Sequence, residues 1–307
     1  MIAPSDATVV VVTWNGAHLL PACLDSVLPQ GARVVVVDNA SSDDTLRLLA
    51  DRYPTVEVIR SQTNTGFAGG VAQALQAVTT PVIALLNNDA TVREGWLRSL
   101  LDELDSPEVA GVSSKLLLPD GRVNSIGGFV TRDGYGHDTG FGSPDDEQLP
   151  TSSDIMYACG AAAAFRTAAV REVGGIDPRF FLYYEDVDLS WRLHLAGHAV
   201  RYAPGAVAVH QHSASTGAGS LLHTYYTERN RLATLVRCAT LGLVMRAVLR
   251  YPLTTLSVAL FESPAKALRR VRAYLDFLRW LPQLVAARRR IVVRVSRHEV
   301  QRRFLTG

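Results

Sequence analysis

The chain has 307 residues, 48% hydrophobic and 20% charged, an ordinary globular composition with ample length for a sizeable core. Its cysteines, Cys23, Cys159 and Cys238, are odd in number and far apart, with no CxxC pair or clustered histidine. They argue against a disulfide frame or a zinc site and fit a reducing compartment.

That length allows one large α/β domain or a core domain with an appendage. The net charge of +2 hides an asymmetry: residues 229–307 hold 17 of the 31 Lys/Arg and 3 of the 29 Asp/Glu. Two regions with different neighbours are expected.

The N-terminus, MIAPSDATVVVVTWNG, has no basic segment before its apolar run and reads as a first strand, not a signal peptide. Residues 7–14 form a continuous β-branched run, the pattern of a strand buried on both faces. Helical spacing follows over 17–28, a second strand over 32–39, and over 42–53 a helix that opens on capping and acidic residues. Residues 56–61 read as strand three, 69–78 as a helix and 81–87 as strand four. The alternation predicts an α/β fold, a mostly parallel sheet with helices on both faces. Ligands of such sheets bind outside the carboxyl ends of the strands. Three strands end there in polar groups: Thr13 to Asn15, Asp38, and Asn87, Asn88 and Asp89.

Residues 119–153 are rich in Gly, Asp and Ser and read as hairpins or a mobile loop. Glu185–Ala196 should be a helix ended by Gly197, and Val207–His210 a short strand. Glu185 and Asp186 are consecutive, so their side chains point about 100° apart and serve different tasks. Asp188 and Arg192, at i and i+4, read as a helix-surface ion pair. Trp191 reads as core packing, with stacking on a sugar ring as the alternative.

In this order, VVTWNG, VVDNASSDDT, NTGFAGG, LLNNDA, GAAAAFR, VGGIDPRFFLYYEDVDLSWRL and HQHSAST resemble the family 2 glycosyltransferases of the GT-A fold. The resemblance covers roughly residues 5–235 and is nearest to the rhamnosyltransferase-like branch that builds bacterial cell-surface glycans. It implies an inverting transferase, with dTDP-L-rhamnose or another dTDP- or UDP-sugar as donor. The implied acceptor is a cell-envelope glycan or a polyprenyl-linked one. A divalent cation, Mg²⁺ or Mn²⁺, would lie across the donor diphosphate.

Asn87-Asn88-Asp89 matches the family's DxD motif but keeps only its last acid. Asp89 is then the metal ligand, and the asparagines orient ribose or phosphate. Asp38 matches the carboxylate that reads the imide N–H of uracil or thymine, with Thr13 and Asn15 lining the same pocket. Gly66 belongs to a phosphate-cradling loop, although Ala72 and Ala74 stand where the family often has Asn and Gly. Asp186 matches the general base, and Glu185 is the first acid of its pair. His210, five residues before Ser215, matches a histidine that approaches the metal in some members; His212 is a neighbour open to confusion with it. Arg229 and Arg231 fall in a closing basic helix, either steadying the diphosphate or standing as solvated charges. Each of these residues has a plainer reading as a cap, a turn or a fixed core group. The functional alternative is a catalytically silent glycan-binding or assembly subunit, against which Asp89 and Asp186 both speak.

Residues 236–307 have little family signal, and the expected division is a GT-A domain over 1–235 and a basic helical extension over 236–307. The apolar stretch from Leu241 to Phe261 is interrupted by Arg246, Arg250 and Pro252, so no run approaches the roughly 18 residues that span a bilayer. Arg269, Arg270, Arg272, Arg279, Arg288 to Arg290 and Arg294 are interleaved with Phe277, Trp280, Leu and Val. That pattern predicts a helix on an anionic membrane surface, here the inner face of the cell membrane with the enzyme in the cytoplasm. A plain charged helical bundle is the alternative. No nucleic-acid-binding module is recognisable, and nucleic acid is not an expected partner.

Overall fold

The computed structural model describes residues 1–146, 153–211 and 220–306. Strands β1 (Ala7–Thr13), β2 (Arg33–Asp38), β3 (Glu57–Arg60) and β4 (Val82–Asn87) alternate with helices α1 (Leu20–Val27), α2 (Thr45–Arg52) and α3 (Gly66–Ala77), as the sequence predicts. The four strands run parallel in the spatial order β3-β2-β1-β4. The chain thus starts mid-sheet, moves outward through β2 and β3, then crosses to the other side of β1. That reversal opens a crevice outside the carboxyl ends of β1 and β4, where open α/β sheets bind ligands.

The valine runs explain the two-sided burial. Val9 and Val11 enter one apolar layer with Leu20 and Leu24, while Val10 enters the other with Ala68, Val71 and Trp191. Three helix starts differ from expectation: α3 begins earlier, at Gly66, while α1 and α2 begin later, at Leu20 and Thr45.

Beyond β4 the sheet is mixed. The chain continues through β5 (Ala90–Val92), α4 (Trp96–Leu104), β6 (Val109–Leu117), β7 (Val123–Ser125), the hairpin β8 (Gly128–Thr131) and β9 (Gly136–Asp138), and β10 (Ser153–Asp154). The hairpins expected over 119–153 are present as far as residue 146; residues 147–152 lie outside the described ones. Strand β11 (Ala162–Arg166) inserts antiparallel between β4 and β6. Helices α5 (Thr167–Glu172) and α6 (Glu185–Leu195) follow, and Gly197, with φ +90°, turns the chain after α6 as expected.

Strand β12 (Ala199–His210) has 12 residues, where only Val207–His210 was expected. Pro204 and Gly205 masked its first half: they sit at a register shift between Ala203 and Val207 that bends the strand. The bend carries His210 to the rim.

Four helices follow: α7 (Leu221–Cys238), α8 (Leu241–Phe261), α9 (Pro264–Arg290) and α10 (Arg297–Phe304). A short β13 (Leu305–Thr306) then pairs with β8. Residue 235 lies inside α7, and Leu243, Tyr251, Phe277 and Leu284 share one apolar core with Val10, Ile83 and Trp191. Contrary to expectation, α8 runs unbroken through Pro252, and by length and composition it could cross a membrane. Several cations assigned to a lipid surface also point elsewhere. Arg270 is buried against Glu228, Arg288 donates to the carbonyls of Val236 and Ala239, and Arg294 pairs with Glu172.

Candidate active site

Strand register brings the rim together. Thr13 is level with Asp38 across β1 and β2, and Val12 with Asn87 across β1 and β4. Antiparallel pairing of β5 with β12 sets His210 opposite Ala90, next to Asp89. His210 Nε2 consequently lies 3.2 Å from Asp89 Oδ1 and 3.3 Å from Asn87 Nδ2. On the far side of the ring, Nδ1 lies 2.8 Å from Asn124 Oδ1. A ring that donates from Nδ1 to an amide oxygen presents its Nε2 lone pair to Asp89, the usual second-sphere arrangement of a ligating histidine.

At the β2 end, Asp38 is 2% exposed; its Oδ2 accepts from the Ser41 N–H, and its buried Oδ1 has no partner among the described residues. A buried acceptor without a donor is costly unless a ligand supplies one. Thr13, Asn15 and Asn88 are engaged differently. Asn88 Nδ2 donates to Thr13 Oγ1 at 2.9 Å, while Asn15 donates its N–H to Ser41 Oγ and accepts from the Ser42 N–H, each at 2.8 Å. These three side chains shape the rim by bonding to it.

Gly66 has a stricter reason to be glycine. Its φ is +70°, and a Cβ there would stand 2.3 Å from the Phe181 carbonyl oxygen. Asn39 clamps the same loop, donating to the Gly66 carbonyl and accepting from the Thr65 N–H. The loop of residues 64–70 therefore touches, backbone to backbone, the segment that leads into α6.

At the start of α6, Glu185 and Asp186 diverge as helix geometry requires. Glu185 is 6% exposed and its Oε2 has no partner among the described residues. Asp186 keeps part of its surface open and accepts from the Gly160 and Val187 N–H groups at 3.0 and 2.7 Å. Burial raises the Asp186 carboxyl above the usual range, outweighing those two N–H groups, which lower it. Burial, and then the neighbouring Asp186, hold Glu185 well above its usual value.

A third carboxylate gave no sequence signal. Asp138, on β9, accepts from Ser125 Oγ at 2.9 Å. Burial, with the nearby Asp186 charge adding to it, pushes it up to about 6 against the Ser125 hydrogen bond. Asn124, Ser125 and Asp138 all come from the Gly-rich stretch, where no periodicity marks them.

The backbone is strained at this rim. Among the described residues, the five with positive φ other than glycine are Asn15, Ala40, Phe181, Tyr183 and Tyr184. They fall in the loops after β1 and β2 and in the loop before Asp186, where strain of this kind gathers at functional sites. Asn230 of α7 braces the last loop, its Nδ2 donating to the carbonyls of Phe180, Leu182 and Tyr183.

Other expectations need correction. Asp188 and Arg192 pair at 2.8 Å, but each is 1% exposed, so the pair is buried, and Arg237 joins it at 3.0 Å from Asp188. Trp191 needs none: it is core, as expected, at 1% exposed. Arg229 is not a solvated charge: it donates to the carbonyls of Arg179 and Phe180. Nor is Arg231, which is buried and holds Glu228 and the Asp133 carbonyl. His212 and Ser215 lie outside the described residues.

A family model described as glycosyl transferase family 2 matches residues 8–174, more than half of the chain. The pre-mycofactocin glycosyltransferase of Mycobacterium tuberculosis is 35% identical over 212 residues, which cover 67% of this chain and 43% of that protein. The chain thus spans less than half the length of that relative. The N-acetylglucosaminyl-diphospho-decaprenol L-rhamnosyltransferase of the same organism is 28% identical over 247 residues, covering 70% of this chain and 79% of that one. Among solved structures, GalNAc-T7 with UDP, GalNAc and Mn²⁺ matches at a TM-score of 0.65 and 16% identity, over 91% of this chain and 56% of that one. At that identity the likeness shows the fold alone: the GT-A α/β fold, with helices at the C-terminal end.

Proposed function

The chain belongs to glycosyl transferase family 2, and on that premise we propose that it moves L-rhamnose from dTDP-L-rhamnose, before other dTDP- or UDP-sugars, to a lipid-linked cell-envelope glycan. One observation carries this reading. Asp38 and the Asp89 and His210 pair, from distant parts of the chain, share one rim at the switch point of the sheet, and Asp186 is tied to it by the N–H of Gly160, whose neighbour Ala161 accepts from the Asn87 N–H. A nucleoside diphosphate sugar needs a base reader, a charge-neutralising centre and a proton acceptor, and these residues supply them.

Asp38 Oδ1, buried and without a donor, suits the imide N–H of thymine or uracil. Asp89 and His210 suit a divalent cation: a carboxylate oxygen and an imidazole nitrogen face each other at 3.2 Å, with Asn124 fixing the ring. No group of three or more His, Cys, Asp or Glu among the described residues could hold a metal ion. Mg²⁺ and Mn²⁺ at nucleotide sites take one or two protein ligands and complete their shell with phosphate oxygens and water. When bound, such a cation neutralises the diphosphate leaving group. Asp186 accepts the proton of the acceptor hydroxyl as its oxygen attacks the anomeric carbon from the face opposite the diphosphate, which inverts that centre. A base with a raised pKa works closer to neutral pH, where proton transfer is efficient. The lipid-linked acceptor follows the named substrate of the rhamnosyltransferase relative. It would bring the enzyme to the inner face of the cell membrane.

Calorimetry of dTDP, UDP and GDP, each with and without Mn²⁺, tests the reading. The expected result is Mn²⁺-dependent binding of dTDP or UDP that Asp89→Ala abolishes. A folded protein that binds none of the nucleotides is instead a silent subunit on a transferase fold.

A further inference from the structure

A surface cavity of about 240 Å³ lies where α7 packs on α9, lined by Leu221, Leu222, Tyr225, Tyr226, Arg269 and Arg272. Its walls are leucine and tyrosine, and its charge is two arginines. Arg269 has no hydrogen bond or ion pair among the described residues. Arg272 approaches Asp276 loosely, at 3.8 Å, and that carboxylate is already held by Tyr225 and Arg279. Both guanidiniums are therefore available to an anion.

The cavity adjoins the general-base loop. Tyr226 stacks on Phe181 with ring centres 5.0 Å apart, and His223 meets Tyr183 edge-on at 4.8 Å. Phe181 and Tyr183 lie four and two residues before Glu185 in the chain.

Helix α9, which supplies the cavity's arginines, and α8, which packs on it, carry an apolar face with no cover among the described residues. Helix α8 buries Leu243, Ala247, Tyr251 and Thr255. At about 100° per residue, Leu241, Met245, Leu249, Leu253, Leu256 and Leu260 lie on the opposite side. They are between 55% and 70% exposed. Helix α9 adds Leu268, Val271, Leu275 and Leu278, between 40% and 69% exposed. A helix that is apolar all round belongs in an apolar environment, yet 22% of the apolar window of α8 is buried. Residues 241–290 carry 10 Lys/Arg and 2 Asp/Glu. Like charge opposes a second copy as the cover, whereas an anionic lipid complements it.

We propose that this cavity binds the diphosphate head of the lipid that carries the acceptor, with its chain lying along the exposed faces of α8 and α9. Arg269 and Arg272 hold the diphosphate, because guanidinium forks match phosphate oxygens. Leu221, Leu222 and the two tyrosines seat the first part of the lipid chain. A sugar attached to that diphosphate extends past Tyr226 and Phe181 toward Asp186. The inference rests on the lipid-linked acceptor proposed above.

The test is flotation of the full chain with vesicles of phosphatidylcholine alone, with added phosphatidylglycerol, or with added polyprenyl diphosphate. Wild type should float with the diphosphate vesicles at roughly tenfold less lipid than with phosphatidylglycerol. Arg269→Gln/Arg272→Gln should lose that preference, and Leu249→Gln/Leu253→Gln should float poorly with all three. Equal flotation of wild type on the two anionic vesicles, or an arginine variant that floats like wild type, overturns the diphosphate site. Wild type that floats with none, or whose exposed face is closed by self-association in sedimentation, overturns lipid docking. Nucleotide calorimetry on the same preparations verifies folding and separates the two claims. Retained dTDP or UDP binding without a lipid preference sinks only this site; loss of nucleotide binding in wild type sinks the transferase reading.

Discussion

Asp186 and Asp138 are neighbouring carboxylates that the fold treats differently. Asp186 sits at a helix start with two backbone N–H donors, while Asp138 sits in a hairpin with one serine hydroxyl. If Asp186 is the base, Asp186→Asn lowers kcat by about 10² to 10⁴ and leaves the calorimetric Kd for nucleotide unchanged. Asp138 makes a prediction about stability. Its folded pKa is raised, so between the usual carboxylate value and about 6 the folded chain holds a proton that the unfolded chain has released. Its favourable contribution is complete at low pH and is lost as pH climbs to about 6. Asp138→Asn removes that dependence: relative to wild type, it gains about 2–3 kcal/mol between about pH 4 and pH 8 in urea titrations. In the sequence, Asp38, Asp89, Asp186 and His210 were legible because each closes an apolar run or opens a helix. Asp138 and Asn124 were not, because short strands in a Gly-rich stretch have no period to betray them.

At the scale of elements, α6 shows what spacing alone cannot say. An i, i+4 acid and base look alike on a surface helix and on a buried one; burial is decided by what packs against the helix. Here Arg237 comes from α7, and the carbonyls of Val173 and Gly175 come from the segment after α5. Asp188→Ala leaves two buried guanidiniums short of their shared carboxylate and should destabilise the fold by about 3–5 kcal/mol in chemical denaturation. The strands β1 to β4 were legible because valine runs are unambiguous. Half of β12 was hidden because Pro204 and Gly205 read as a break, when they mark a bend within a paired strand.

The molecule as a whole anchors one face of its basic helices in the fold's own core. Leu243, Ala247, Tyr251, Phe277 and Leu284 are buried with the apolar residues that back the sheet, and Asn230 braces the loop before Asp186. Removing residues 236–307 should therefore give a chain that loses its cooperative thermal transition, rather than a smaller stable domain; calorimetric melting checks this. Composition announced the charge of this region but not its attachment. Long arginines beside leucines read equally as lipid-facing or as tethered, and only their partners, such as Glu228 for Arg270 and the Val236 carbonyl for Arg288, tell the two apart.

The absent side chain at Gly66 sets a tolerance for the whole site. The loop at the donor end and the loop ahead of Asp186 approach until a single methyl group would not fit between them. On the proposed reading, the gap between leaving group and proton acceptor is gauged by two stretches of main chain in direct touch, Ala68 donating its N–H to the Phe181 carbonyl, without an adjustable side chain as spacer. A transferase built this way fits its substrates to a fixed gauge and leaves selectivity among sugars to the side chains around it.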